Sequence, residues 1–110
     1  MRKYRNIKVV NAEGIQFDSK REMARYTQLV LLQRAGMICN LQRQVKFVVI
    51  PKVNRVKRTR FYIADFVYEE GGKKIIEDVK SPITKQNPAY TLKRDLLLWQ
   101  YPDYEFRETM

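Results

Sequence analysis

The sequence predicts an α+β domain built on one mixed sheet. Three observations carry this. Segments rich in β-branched and aromatic residues alternate with two helical runs in the order β-hairpin, α, β, β, β, α, β. One of them is interrupted at Gly71-Gly72, the mark of a two-residue hairpin turn. The first helical run opens with Ser19-Lys20-Arg21-Glu22, which has the form of a capping box. With 110 residues the chain is expected to form a single domain over 1–110.

Residues 7–17 read as a short hairpin: Ile7, Val9 and Val10 precede the turn signal Asn11-Ala12-Glu13-Gly14, and Ile15 and Phe17 follow it. The first helix is placed near 20–35, with Met23, Tyr26, Leu29, Val30, Leu31 and Leu32 as its apolar face and Gly36 as its terminator. Residues 43–53 (Val45, Phe47, Val48, Val49, Ile50, Val53) form a strand in which Pro51 marks an edge or a bulge. A basic loop, 54–59, leads to the strands 60–70 and 73–81. A polar loop over 82–88 precedes the second helix, near 89–100, with Leu92, Leu96, Leu97 and Trp99. Pro102-Asp103 ends it, and 104–107 can form a last strand.

Composition excludes several chemistries. The chain has no histidine, so Ser-His-Asp and Cys-His nucleophiles, histidine zinc sites and histidine bases are ruled out. Its one cysteine, Cys39, excludes an internal disulfide framework and a multi-cysteine zinc site, and fits a reducing cytoplasm. No apolar run approaches the ~18 residues of a membrane span, and the basic start Met1-Arg2-Lys3-Tyr4-Arg5 has no apolar region behind it, so no membrane or secretory role is expected. The net charge is +10, which in a small domain points to a polyanion, most often nucleic acid. Between Glu22 and Asp65 there is no acidic residue and there are nine basic ones.

The chemistry concentrates around the Gly-Gly hairpin. If Gly71 and Gly72 are the two turn residues, Glu70 faces Lys73, and counting outward puts Asp65 directly across from Asp78. Two like charges so placed are destabilising. Alternation puts Ile76, Asp78 and Lys80 on one side, with Ile63, Asp65 and Val67 beside them. A divalent cation resolves the conflict: two carboxylates supply oxygen ligands for Mg²⁺, and Lys80 can polarise water or stabilise charge on a phosphate. Glu22 adds a carboxylate, although its capping role alone accounts for it. The simpler reading is a solvated charged face with Lys80 as an ion-pair partner; against it, both strands are otherwise strongly apolar. Glu77 points to the opposite face and reads as a structural residue or one that supports the site's ligands from behind.

These residues resemble the PD-(D/E)XK nuclease superfamily: Asp65, then Asp78-Val79-Lys80 after a hairpin, preceded by a helix-borne Glu22. More narrowly, Phe17-Asp18-Ser19-Lys20-Arg21-Glu22, Tyr62-Ile63-Ala64-Asp65-Phe66 and Glu77-Asp78-Val79-Lys80 look like a small phage-type family of Holliday-junction-resolvase-like endonucleases. The resemblance runs from Tyr4 to Phe106. It departs from the superfamily name at Ala64, where proline is usual, and in having Asp78 rather than Glu. It implies a restriction-endonuclease-like core (α-β-β-β-α-β), with helices flanking a central mixed sheet. It also implies a Mg²⁺-dependent endonuclease, with Mn²⁺ as a substitute, hydrolysing phosphodiester bonds and selective for branched DNA. In it Asp65 and Asp78 are metal ligands, the Val79 backbone carbonyl completes the site, Lys80 is the catalytic lysine and Glu22 an auxiliary metal or water ligand. If the chain is phage-encoded, its setting is the cytoplasm of a bacterial host.

For the DNA grip, the sequence offers Lys52, Arg55, Lys57, Arg58 and Arg60 in the basic loop, an N-terminal arm of Arg2, Lys3 and Arg5, and Lys85, Lys93 and Arg94 at the second helix. Symmetric cutting of a four-way junction needs two active sites, so a homodimer is expected for that substrate. Tyr62 and Tyr68 read as core rather than stacking platforms. The competing reading is a non-catalytic basic nucleic-acid-binding module in which the acids are structural.

Overall fold

A computed structural model describes residues 8–81 and 85–109. The proposed arm (Arg2, Lys3, Arg5), Ile7 and the start of the polar loop, 82–84, lie outside them. The described elements are β1 (Val9–Val10), β2 (Gln16–Phe17), α1 (Lys20–Arg34), β3 (Cys39–Ile50), β4 (Arg60–Glu70), β5 (Lys73–Val79), α2 (Pro88–Gln100) and β6 (Tyr104–Thr109). β1 and β2 form the N-terminal hairpin. The other strands form one mixed sheet in the order β3-β4-β5-β6, antiparallel except that β6 runs parallel to β5.

Local chemistry accounts for the boundaries. Asn11 Oδ1 accepts from the N–H groups of Glu13 and Ile15, closing the first hairpin. Ser19 Oγ accepts the Glu22 N–H at 3.1 Å and caps α1, as expected. The other half of the box is displaced: Glu22 Oε1 accepts from Asp18 rather than from the cap residue. α1 ends at Ala35 with Gly36 at φ +78°, where the Gly36 and Met37 N–H groups bond back to Gln33 and Leu32. α2 is capped by the Asn87 side chain and begins at Pro88, whose missing N–H costs nothing there.

The sheet is sandwiched between the helices. One core cluster, on the α2 side, contains Phe47, Val49, Tyr62, Ala64, Ile76 and Leu97. The other, on the α1 side, contains Leu29, Ile38, Phe66, Tyr68 and Ile75. Tyr62 and Tyr68 are core residues, as the sequence suggests, but in different clusters.

Three expectations are corrected. Of the predicted apolar face of α1, Leu31 is exposed and Leu29 alone is buried; the buried stripe runs back from Leu29 through Tyr26 to Glu22, so it starts with a charged residue that propensity would assign to solvent. The strand predicted over 43–53 starts earlier, at Cys39, and stops before Pro51. Its first residues have little β propensity and are held by pairing with the end of β4 across a bulge, with Asn40 at φ +56°. Finally, strict alternation fails in the middle of the sheet. Ala64 joins the α2-side cluster but Phe66 the α1-side one, while Val67 packs with Ala64. On β3, Leu41 lies with α1, whereas Val45 and Phe47 lie with α2. The reversal falls at Gln44 and Asp65, which face each other between the pairs Arg43↔Phe66 and Val45↔Ala64. Gln44 has φ +52°, and this left-handed residue turns the strand over. Ile63 is therefore exposed and does not share a face with Val67.

Candidate active site

The expected hairpin register is observed: Glu70 pairs with Lys73 and Phe66 with Glu77. One step beyond Phe66 and Glu77 stand Asp65 and Asp78, and there the two strands stop exchanging backbone bonds with each other. The carboxylates take over. The Asp65 N–H donates to Asp78 Oδ1 at 2.8 Å, and the Val79 N–H donates to Asp65 Oδ2 at 2.9 Å. Each acid thus caps an N–H of the opposite strand, and charge-assisted bonds of this kind offset part of the cost of burial.

Burial still dominates. Asp78 is fully buried and Asp65 nearly so. Loss of water pushes both pKa values above the usual carboxylate value; the Lys80 charge and the backbone N–H donors pull the other way. Lys80 Nζ lies 3.9 Å from Asp65 Oδ2 and 5.6 Å from the centre of the Tyr90 ring, while its backbone N–H is fixed to the Thr109 carbonyl.

Glu22 joins them from the first turn of α1. It is 3% exposed, and Gln44 Nε2 donates to its Oε2 at 2.9 Å. Its pKa is raised, first by burial and then by the Asp65 charge. Ser19, Lys20, Arg21, Glu22, Asp65, Val79 and Lys80 line one cavity of about 490 Å³. Glu77, the immediate neighbour of Asp78, turns to the other side of the sheet, where Arg25 and Tyr68 hold it. The structure thus brings Glu22, Asp65, Val79 and Lys80 to one cleft, with Asp78 buried beneath it.

A divalent cation fits this donor set on one specific ground: Asp78 Oδ2 is buried and accepts no hydrogen bond from the described residues. A buried carboxylate oxygen left in that state costs free energy unless something positive meets it. Among the described residues no three acidic, histidine or cysteine side chains form a ready-made metal cage. Mg²⁺ does not require one, since it usually binds through one or two carboxylates plus water and substrate phosphate. Asp65, Asp78 and the Val79 carbonyl would be its protein ligands, with Glu22 close by.

The basic residues fall into two groups. Lys52, Arg55, Lys57, Arg58 and Arg60 are exposed and make no ion pair among the described residues. Lys93 is exposed at the side of Lys80, both lining a small cavity with Tyr90. Lys85 and Arg94 differ: both pair with Glu108, at 3.9 and 3.7 Å, and the Tyr90 hydroxyl donates to the same carboxylate. Their charge is partly spent within the fold.

Several contributors escape sequence reasoning. Gln44 touches two of the acids, and nothing in its local sequence marks it. Lys20 and Arg21 stand at the cleft because they open the capped helix. Glu108 lies beside Asp78 through the parallel β5–β6 register. Arg25, one turn after Glu22, carried a legible signal in its helical spacing. A family described as a protein of unknown function (DUF1064) matches residues 1–109. No curated protein matches the chain.

Proposed function

The chain belongs to the DUF1064 family, and we propose that it is a Mg²⁺-dependent DNA endonuclease of the PD-(D/E)XK type, selective for branched DNA in the manner of a Holliday-junction resolvase and acting as a homodimer on that substrate. The observation that carries the reading is the Asp65–Asp78 pair: two buried acids held at the point where β4 and β5 part, one with an oxygen that accepts no hydrogen bond from the described residues, with Lys80 3.9 Å from the other. A buried carboxylate oxygen that meets no donor among the described residues calls for a positive partner, and a divalent cation would supply it.

When bound, a divalent cation supplies charge neutralisation at the phosphate and a more acidic water. The chain's own groups do the rest. Lys80 presents a positive charge at the cleft, held by Asp65 and the Tyr90 ring, where it can stabilise charge developing on a phosphoryl oxygen. Glu22 offers a carboxylate of raised pKa, suited to orient a water or accept its proton. The helix start with Lys20 and Arg21 favours an anion at the mouth of the cleft. Along β4, Arg60 is five residues from Asp65, roughly 17 Å at strand rise, so the basic loop would meet phosphates several nucleotides from the cut. Selectivity for branched DNA and the dimer rest on the resemblance.

The test is nicking of linear, flap and four-way DNA with Mg²⁺ or Mn²⁺, against chelator. Cleavage that needs the cation and is lost in Asp65→Asn, Asp78→Asn and Lys80→Ala supports the reading. Well-folded protein that binds these DNAs and cuts none of them favours instead a non-catalytic binding module, for which the exposed basic side chains of residues 52–60 speak.

A further inference from the structure

Gln44 combines three features, and the reversal of β3 accounts for the backbone one alone. It sits in the middle of a twelve-residue strand with φ +52°, a region that residues with a side chain seldom adopt. It stands opposite Asp65 in the β3–β4 register. Its Nε2 donates to Glu22 Oε2 at 2.9 Å and lies 3.4 Å from Asp65 Oδ1, so one amide spans acids on two different elements. Backbone strain that persists in a site is a reason to look for a function. A primary amide has two N–H donors and no net charge. It can hold two carboxylates together without cancelling the negative charge that a cation needs, as Lys or Arg would.

We propose that Gln44 is a positioning residue: its left-handed backbone aims an amide that fixes Glu22 against Asp65, so that the acidic cleft is assembled before substrate arrives. The inference rests on the cation-dependent nuclease reading and names the residue that pre-organises its acids.

Gln44→Gly separates this role from a structural one, because glycine adopts the positive φ without penalty while losing both donors. In the full-length chain, free of DNA, Mn²⁺ affinity measured by electron paramagnetic resonance is expected to fall about tenfold, as for other groups that orient metal ligands. The cleavage kcat should fall by a similar or larger factor with KM for DNA unchanged, and the unfolding temperature should stay level or rise. On a Glu22→Ala background the same substitution should lower Mn²⁺ affinity much less, because Gln44 acts largely through Glu22. In metal-free protein the Gln44 side-chain amide resonances should move on Glu22→Ala. Wild-type Mn²⁺ affinity and kcat in Gln44→Gly would overturn the inference and leave the nuclease reading standing. So would losses matched by a falling unfolding temperature, which would mark Gln44 as merely structural. A wild-type chain that neither binds Mn²⁺ nor cuts overturns both.

Discussion

Arg25 grips Glu77 at two points across the interface between α1 and the sheet: Nε lies 2.5 Å from Oε2 and the Nη2 group 3.0 Å from Oε1. Glu77 is fully buried, and the Tyr68 hydroxyl donates to it as well. Burial and that bond push the Tyr68 pKa up to about 12, so the phenol keeps its proton and remains a donor. The pairing fixes α1 one turn beyond Glu22. Two adjacent residues of β5 thus divide the work: Glu77 anchors the helix, and Asp78, buried beneath the cleft, holds the Asp65 N–H.

Removing one member of this pair is therefore expected to be costly. Arg25→Met leaves a buried carboxylate without its counter-charge, a change that typically destabilises by roughly 3–5 kcal/mol. Urea unfolding should show a lower midpoint at unchanged slope. A loss under about 1 kcal/mol, the range of exposed ion pairs, would mean that Glu77 finds another partner.

Asp78→Asn is expected to abolish cleavage while keeping or tightening DNA binding, since it deletes a negative charge near the phosphate path. Asparagine can still accept the Asp65 N–H through its Oδ1, so the local geometry survives. Binding by gel shift and nicking by the same preparation decide it. An equal loss of both would place the site elsewhere.

The same variant has a pH signature. In the folded chain burial raises the Asp78 pKa above 3.8, its ordinary value. A group whose folded pKa is raised favours folding below its unfolded value, and that contribution is lost as pH climbs through the folded value. At pH 7 wild type therefore folds with a penalised charge, and in chelator Asp78→Asn should melt higher; each 1 kcal/mol gained corresponds to roughly 4–8 °C in a domain near this size. The advantage should shrink as the buffer is taken down towards pH 4. A difference constant with pH would show that the charge of Asp78 carries no burial penalty.

Lys57 and Arg58 are exposed and form no ion pair among the described residues, so their effect should be electrostatic. Replacing both by Ala, in the Asp78→Asn background, should weaken binding to all sequences alike. The slope of log K against log salt should drop by up to roughly 2 if both touch phosphate. Preference for a four-way junction over its linear control should survive at least in part. An unchanged slope would move the DNA path towards Lys93 and the α2 side.

The Asp65–Asp78 pairing could be read from the sequence because Gly71-Gly72 fixes the turn, and the turn fixes every later pairing by counting. Ser19 and Glu22 marked the start of α1 for the same reason: capping is a contact between residues three apart. Such signals are local, and the chain carries them wherever it goes. The faces were another matter. Gln44 takes a left-handed φ with neither glycine nor asparagine to announce it, so the reversal that exposes Ile63 and turns Phe66 away from Ala64 left no trace in the pattern. The bridge from Gln44 to Glu22, the grip of Arg25 on Glu77 and the capture of Lys85 and Arg94 by Glu108 join residues far apart in sequence. Only the docking of two helices on opposite faces of one sheet decided those contacts, because a side chain's partner at long range depends on where its whole element packs.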